Sequence, residues 1–115
     1  MVLVIRGTNQ QFKFSIPYKF DDLTDVRIAF WQEGNVGSED YALPIIKTKA
    51  DCTANAFGTA MYVTVNSKES LAFVVDRKAF VQMRATTVDG FTFGCRKKPF
   101  TVYPINEELL PDEEV

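Results

Sequence analysis

Residues 81–96 read VQMRATTVDGFTFGCR, in which two segments of alternating apolar and polar residues flank one Asp-Gly pair. Alternation with a period of two residues is typical of β-strands that bury one face. An Asp-Gly pair between two such segments is a strong turn signal, because glycine readily adopts positive φ angles. The stretch therefore predicts a β-hairpin.

The length of the connecting loop decides which side chains face each other across the hairpin. A two-residue loop would place the apolar Met83 opposite the charged Arg96. A three-residue loop over residues 88–90 gathers the apolar side chains on one face, since a shift of one residue exchanges the two faces of a strand. We therefore expect a three-residue type I turn with a bulge at a left-handed Gly90. The expected partners are Ala85 with Phe93 and Met83 with Cys95.

The same alternation recurs along the rest of the chain and predicts about seven short strands. One of them, at residues 43–47, is expected to be broken or to lie at a sheet edge, because Pro44 cannot donate a backbone hydrogen bond. Asn66 and Glu69 have the spacing of a capping box, which predicts one short helical turn near residues 67–72. The expected strands cover residues 12–16, 26–31, 43–47, 61–65, 81–87, 91–96 and 100–103.

This pattern of short strands separated by turns defines the expected fold class. It is all-β, and we expect a two-sheet antiparallel sandwich of the Ig-like kind. A closed barrel is the alternative. The 115 residues leave room for one domain, which we place at residues 1–104.

Residues 105–115 differ in composition from everything before them. They contain five acidic residues and no basic one, and we expect them to form a flexible acidic C-terminal tail outside the fold. Without these five carboxylates, the thirteen Lys and Arg residues of the chain exceed the ten remaining acidic residues. Leu109 and Leu110 lie between the acids of the tail, which makes it a candidate docking arm.

The residue types of most catalytic mechanisms are missing from the sequence. The chain has no histidine, which is the usual general base and a common metal ligand. It has no glycine-rich phosphate loop, and its two cysteines lack the paired spacing of a zinc site. Loop carboxylates that could in principle form a glycosidase pair are those of Glu33, Glu39, Asp40 and Asp51. Because acidic residues in loops are usually solvated, we predict a protein that is not an enzyme and binds no cofactor or metal.

The two cysteines do not form a disulfide framework. We expect Cys52 and Cys95 to be buried thiols of a protein made in a cytoplasm, and a bridge between them is the less favoured alternative.

Membranes and nucleic acids are not expected partners. No apolar run approaches the roughly 20 residues that a membrane-spanning helix needs, and the apolar residues 1–5 are too few for a signal peptide. The basic run at residues 96–98 has no interleaved aromatic residues of the kind that nucleic-acid-binding surfaces use.

Apolar side chains that the predicted strands expose are candidates for partner contacts. Trp31 falls on the opposite strand face from Val26 and Ile28, so we expect it to face outward and to be covered by a partner. Residues 2–5 form an apolar N-terminal strand whose unpaired edge could pair with another chain. The candidate partner interface comprises Val2, Val4, Trp31, Tyr41, Leu109 and Leu110.

A series of short motifs extends along nearly the whole chain. The opening IRGTN at residues 5–9 is followed by FKFSIP at 12–17, VRIAFWQEG at 26–34 and ADCT at 50–53. VTV at 63–65, SLAF at 70–73 and the hairpin sequence VQMRATTVDG at 81–90 complete it. In this order the motifs resemble those of a family of short phage and prophage virion-associated proteins. The longer insert at residues 35–41 and Pro44 depart from that family's pattern.

The resemblance implies a small structural protein of the virion and supplies no catalytic or binding residues. We expect a subunit of the capsid exterior, in decoration or fibre attachment, or of the tail assembly. Its expected partners are other phage structural proteins within a symmetric assembly, with a homo-oligomer as one form, and its expected location is the virion and, during assembly, the host cytoplasm. Two alternatives stay open: a carbohydrate- or host-surface-binding module with the aromatic residues as its platform, and a soluble phage regulator or inhibitor that uses the acidic tail.

Overall fold

The computed structural model describes residues 3–33, 44–75 and 78–104. About 55% of them lie in strands, and the helical residues occur only in single 3₁₀ turns, so the predicted all-β class is confirmed. The strands are β1 (Leu3–Ile5), β2 (Gln10–Ser15), β3 (Leu23–Gln32), β4 (Ile45–Thr48), β5 (Cys52–Ala54), β6 (Ala60–Val65), β7 (Ala79–Thr87), β8 (Thr92–Gly94) and β9 (Lys98–Tyr103). The 3₁₀ turns are Phe20–Asp22, Lys49–Asp51 and Glu69–Ala72.

These strands form two sheets. The larger sheet has the order β1-β9-β7-β3-β4, with β8 also paired to β7, and it curls like half a barrel. The smaller sheet has the order β2-β6-β5. The two-sheet prediction is confirmed, and β4 lies at an edge of the larger sheet, as Pro44 just before it led us to expect.

Parts of the strand prediction are wrong. β1 and β9 run parallel, with Val4 paired to Val102, so the larger sheet is not purely antiparallel. No hairpin joins these two strands, so no tight turn fixes their relative direction. The described residues hold nine strands rather than about seven. β5 has only three residues, too few for its alternation to indicate a strand, and β1 corresponds to the apolar N-terminal strand expected over residues 2–5. They also hold three helical turns rather than one.

One continuous apolar core joins the two sheets. Phe12 of the smaller sheet packs edge to face against Phe30 and Phe100 of the larger sheet, with ring centroids 4.9 and 5.4 Å away. Phe73 packs against Phe100 in the same manner at 5.4 Å. Aromatic pairs in this geometry add a favourable electrostatic contribution to the burial of their apolar area. The ring cluster therefore fixes how one sheet lies on the other.

The hairpin between β7 and β8 has the predicted register. Ala85 pairs with Phe93, and the backbone N–H of Cys95 donates to the carbonyl oxygen of Met83 at 3.1 Å. Gly90 adopts a φ of 85°, within the left-handed region. The three-residue loop and the conformation of Gly90 are therefore confirmed.

Replacing Gly90 with valine is expected to lower the free energy of unfolding by about 1–2 kcal/mol, because a β-branched residue is strained at positive φ. A Cβ at this position meets no heavy atom within 4 Å, so the cost comes from the backbone and not from packing. Urea denaturation followed by circular dichroism measures the change. Gly90→Asn is the matched control and should lose less, since asparagine tolerates this conformation; equal midpoints for all three proteins would contradict the expectation.

Asn66 and Glu69 form the predicted reciprocal hydrogen bonds, across the residues that lead into the 3₁₀ turn Glu69–Ala72. The backbone N–H of Asn66 donates to Glu69 Oε1 at 3.0 Å, and the backbone N–H of Glu69 donates to Asn66 Oδ1 at 2.7 Å. This reciprocal arrangement is a capping box. Glu69 also forms a salt bridge of 2.6 Å with Lys47, which links the turn to the edge strand β4.

The IRGTN segment holds the same turn through a second set of contacts. Arg6 Nε donates to the carbonyl oxygen of Phe73 at 3.0 Å, and Arg6 Nη2 donates to that of Leu71 at 3.2 Å. Gly7, whose φ is 88°, donates its backbone N–H to Ser70 Oγ at 2.8 Å. The segment that opens the series of family-like motifs therefore has a structural role, because it fastens the end of β1 to the segment that follows β6.

Candidate functional site

The outward-facing side chains of β3 and β7 form a continuous surface on the side of the larger sheet that faces away from the core. The core-facing positions of both strands are buried, whereas the alternate positions are half-buried or exposed. An open groove of about 580 Å³ lies on this surface. We use the name outer face for the set Arg27, Ala29, Trp31, Phe80, Gln82 and Arg84, which the register of β3 and β7 places side by side.

Two arginines lie directly opposite each other on the outer face. Arg27 of β3 pairs with Arg84 of β7, and both are exposed. Among the described residues, neither arginine forms a salt bridge with a carboxylate. Like charges at directly opposed positions are destabilising, and the guanidinium fork suits carboxylates and phosphates. This end of the outer face is therefore suited to an anionic group held between the two strands.

An aromatic pair lies at the other end of the outer face. Trp31 pairs across the strands with Phe80, with ring centroids 5.8 Å apart and ring planes inclined at 32°. Lys97 Nζ lies 4.5 Å from the centroid of Phe80, within the range of a cation–π interaction. Trp31 thus lies on the strand face that the alternation predicted, and its coverage by a partner stays a prediction.

Polar and apolar groups connect the two ends. Gln82 lies opposite Ala29, between the arginine pair and the aromatic pair. Its Nε2 donates to the carbonyl oxygen of Cys95 at 3.0 Å, which fixes the amide against the segment after β8. Ile46 of the edge strand β4 is 49% exposed beside Ala29. The outer face therefore offers charged, polar and apolar contacts in one row along β7.

The predicted partner interface is only partly placed on this surface. Trp31 belongs to it, whereas pairing of β1 with β9 turns the side chain of Val4 into the core, where it is 0% exposed, so Val4 could meet a partner only through the backbone edge of its strand. The backbone edge of β1 that faces away from β9 has no strand partner among the described residues. The predicted residues Val2, Tyr41, Leu109 and Leu110 lie outside the described residues.

Sequence reasoning missed the partners that make Trp31 part of a site. Phe80 and Arg84 occupy alternate positions of β7, and Arg27 occupies the corresponding position of β3. The alternation of each strand indicated which of its side chains share a face. The register between β3 and β7, which brings the two sets together, has no local signal in the sequence.

The carboxylates considered for catalysis are not brought together in the described part of the chain. Asp51 accepts hydrogen bonds from the backbone N–H of Thr48 at 2.9 Å and from its hydroxyl at 3.3 Å, so it caps a 3₁₀ turn. Glu33 is exposed, and Glu39 and Asp40 lie outside the described residues. No group of three or more His, Cys, Asp or Glu residues that could hold a metal ion occurs among the residues searched, which are those described.

Both cysteines are free thiols and are half-buried rather than fully buried. Burial, together with the nearby carboxylate of Asp51, raises the pKa of Cys52 to about 11, and Lys47 opposes this rise. Cys52 Sγ donates to the carbonyl oxygen of Thr48 at 3.4 Å. Because the thiolate is the nucleophile, the raised pKa makes Cys52 a weak nucleophile at neutral pH.

Labelling of Cys52 is therefore expected to be slow in the folded protein. In a Cys95→Ala background, a thiol-specific reagent at pH 8 should react with Cys52 about 100-fold more slowly in the native chain than in denaturant, because the native thiolate fraction is smaller. The native rate should continue to rise with pH up to the raised pKa of about 11. Equal native and denatured rates at pH 8 would contradict the expected protection.

Comparison of the chain with known protein families and with curated protein sequences finds no match. No helix in the described ranges has both the length and the apolar character needed to cross a membrane. The case for a function therefore depends on the chemistry of the outer face and on the motifs of the sequence.

Proposed function

We propose that the chain is a non-enzymatic structural subunit of a phage particle, in the capsid exterior or the tail assembly, and that its outer face contacts other subunits. The observation that carries this proposal is the outer face itself, with an opposed arginine pair at one end and a half-buried aromatic pair at the other. We also propose that the two sheets pack as an Ig-like sandwich, which would leave this face free for contacts.

The chemistry of the outer face supports a role in protein–protein contact. Aromatic residues and arginine are enriched in interface cores, and Trp, Tyr and Arg account for many of the residues that dominate binding energy. Arg27 and Arg84 present two guanidinium groups that form no salt bridge with a described carboxylate, and Trp31 with Phe80 presents apolar area at the other end of the same face. A partner with matching acidic and apolar groups would neutralise the charges and bury the rings in one contact.

The proposal specifies location and partners. The subunit occurs in the virion and, during assembly, in the host cytoplasm. It contacts other phage structural proteins within a symmetric assembly, and no cofactor, nucleic acid or membrane takes part in its role. The strand edges of β1 and β4, at the two ends of the larger sheet, give further places where a neighbouring chain could add a strand.

Particle fractionation tests the proposal. Particles from a culture that produces the encoding phage are separated on a density gradient, and the chain is quantified by mass spectrometry relative to the major capsid protein. We expect the chain to sediment with the particles at a constant ratio across gradient fractions. A chain that is found only in the soluble fraction, with particles present and intact, would refute the proposed function.

A carbohydrate-binding module is the second candidate, because Trp31 shares its face with the polar side chain of Gln82, which lies two residues along β7 from Phe80. Sugars bind to aromatic rings flanked by hydrogen-bonding groups of this kind. A glycan array probed with the wild-type chain and with Trp31→Ala separates the two candidates. Binding that depends on Trp31 would favour the carbohydrate module, and an absence of binding would favour the structural subunit.

A further inference from the structure

We propose that the outer face is a docking site for the C-terminal segment 105–115 of a neighbouring copy of this chain. The inference rests on the proposed function and extends it, because it names the partner of the same surface. It is drawn from the charges of the outer face, from the composition and spacing of the segment, and from the place where β9 ends.

The segment and the outer face have complementary charges. Segment 105–115 reads INEELLPDEEV and contains five acidic residues and no basic one. Arg27 and Arg84 lie opposite each other and form no salt bridge with any described carboxylate, and Lys97 lies over the ring of Phe80. Placing carboxylates between the two arginines would remove the repulsion of this cross-strand pair.

The spacing of groups along the segment matches the spacing along β7. Phe80 and Arg84 are four residues apart in one strand, which corresponds to about 13 Å. In an extended peptide the same distance separates Glu107 from Pro111. A segment that places Glu107 and Glu108 at the arginine pair therefore places the Leu-Leu-Pro run over Trp31 and Phe80, and its last acidic residues near Lys97. Along the segment, acidic, apolar and acidic residues follow one another. Along the outer face, the arginine pair, the aromatic pair and Lys97 follow in the same order, so each group of the segment meets a group of complementary chemistry.

In the register that places Glu107 and Glu108 at the arginine pair, the position of the end of β9 excludes the chain's own segment. β9 runs antiparallel to β7 with Pro99 opposite Phe80, so Tyr103 lies about 13 Å beyond the aromatic pair, on the side away from the arginines. The arginine pair is then roughly 26 Å from Tyr103 along the sheet. Glu107 and Glu108 follow Tyr103 by only four and five residues and reach at most about 18 Å, so in this register the occupant is the segment of a second copy. Asp112, Glu113 and Glu114 follow Tyr103 by nine to eleven residues and reach about 30–40 Å, so a chain that bound its own segment would place these later acids at the arginines.

A contact of this kind joins two different surfaces of the same protein. Such a head-to-tail contact repeats from copy to copy and produces a closed ring when the rotation between copies closes, or an open row when it does not. Both products suit a subunit of a symmetric particle. The mode of binding is that of a mixed acidic and apolar peptide on an arginine- and aromatic-lined surface.

Sedimentation velocity of the full-length chain over a range of concentrations and salt concentrations tests the inference. We expect association that increases with concentration and weakens with salt. Arg27→Ala/Arg84→Ala and, separately, Glu107→Gln/Glu108→Gln should weaken it at least tenfold. Lys13→Ala/Lys19→Ala is the matched control, since it removes two exposed positive charges outside the outer face, and it should change the association less than twofold. Circular dichroism melts verify that every variant is folded.

Peptide binding tests the same contact without self-association. Trp31 is the only tryptophan of the chain, and segment 105–115 has no aromatic residue, so tryptophan fluorescence reports the outer face directly. A synthetic peptide of residues 105–115, added to the full-length Glu107→Gln/Glu108→Gln variant, should give a saturable change in emission. A peptide of the same composition in scrambled order should bind at least fivefold more weakly. Exchange of charges, with Arg27→Glu/Arg84→Glu in the protein and Glu107→Lys/Glu108→Lys in the peptide, should restore binding.

Three results would overturn the inference. The first is a chain that stays monomeric at all concentrations and does not respond to the peptide. The second is a fluorescence difference between wild type and an Asp112→Asn/Glu113→Gln/Glu114→Gln variant in a strictly monomeric chain, which would assign the face to the chain's own segment. The third is a peptide that does not bind, together with saturable binding of an acidic glycan to the same face.

Particle fractionation is independent of these three results. A chain that is incorporated into particles without self-association would overturn this inference alone. A self-associating chain that is absent from particles would overturn only the proposed function.

Discussion

Replacement of Arg6 with alanine is expected to lower the free energy of unfolding by about 3 kcal/mol, since hydrogen bonds from charged groups contribute roughly 1.5–3 kcal/mol each. Arg6 donates to the carbonyl oxygens of Phe73 and Leu71 and is partly buried between β1 and the 3₁₀ turn. Its loss leaves both carbonyl groups without this donor and frees the turn from the end of β1. Chemical denaturation of the two proteins, followed by circular dichroism, measures the difference.

Two control variants test whether the loss of stability in Arg6→Ala comes from the hydrogen bonds of Arg6. Arg6→Lys keeps the charge but lacks the planar fork that reaches two carbonyls, so it should recover less than half of the loss. Arg27→Ala removes an exposed arginine that forms no salt bridge with a described carboxylate, and it should change stability by less than about 0.5 kcal/mol. If Arg6→Ala costs no more than Arg27→Ala, the contacts of Arg6 do not stabilise the fold as we infer.

Replacement of Gln32 with leucine is expected to cost about 2–4 kcal/mol, because a part-buried backbone group that loses its partner costs roughly 1–3 kcal/mol. Gln32 is 1% exposed, and its amide forms two hydrogen bonds with Val74. Nε2 donates to the carbonyl oxygen at 2.7 Å, and Oε1 accepts from the backbone N–H at 2.7 Å. Leucine has a similar volume, so the loss reports the hydrogen bonds and not a cavity.

Thermal and urea denaturation of Gln32→Leu provide the measurement, and Gln82→Leu provides the control. Gln82 lies on the neighbouring strand, is exposed and donates a single hydrogen bond to a carbonyl oxygen. Its replacement should therefore cost about 1 kcal/mol or less. Equal losses for the two variants would show that the amide of Gln32 has no special role in fixing the segment after the 3₁₀ turn.

The parts of the fold that depend on neighbouring residues were predictable from the sequence. The β7–β8 hairpin, its three-residue loop and the capping box at Asn66 and Glu69 all depend on residues within a few positions of one another. Pro44 likewise indicated the edge position of β4 through its missing donor. Local rules apply in these cases because the contacting groups are close in the chain.

The parts that depend on distant segments were not predictable. The parallel pairing of β1 with β9 joins the two ends of the domain, and it turns the side chain of Val4 into the core. Similarly, the alternation of β3 indicated that Trp31 faces outward, but only the register of β3 with β7 places Phe80 beside it. A one-residue shift would exchange every side chain of β7 between the two faces, so the outer face required the full set of pairings.

The family-like motifs show the same difference between what neighbouring residues indicate and what only contacts between distant segments reveal. The IRGTN segment was recognisable as a pattern, but its role became clear only when Arg6 and Gly7 were seen to bind the segment from Ser70 to Phe73. This segment is itself one of the family-like motifs, so two parts of the pattern that are more than 60 residues apart contact each other. That contact gives a structural reason for both motifs to occur in one chain.

The central claim is that the outer face of the larger sheet is the contact surface of an assembled subunit, and hydroxyl-radical footprinting of intact particles tests it most directly. Labelling of each aromatic side chain is compared between the free chain and purified particles. Trp31 and Phe80 should lose most of their reactivity on assembly, whereas Phe57, which is 80% exposed and lies outside the outer face, serves as the internal reference. Strong protection of Trp31 and Phe80 relative to Phe57 is the predicted result. Unchanged labelling of Trp31 and Phe80 in particles that contain the chain would contradict the claim.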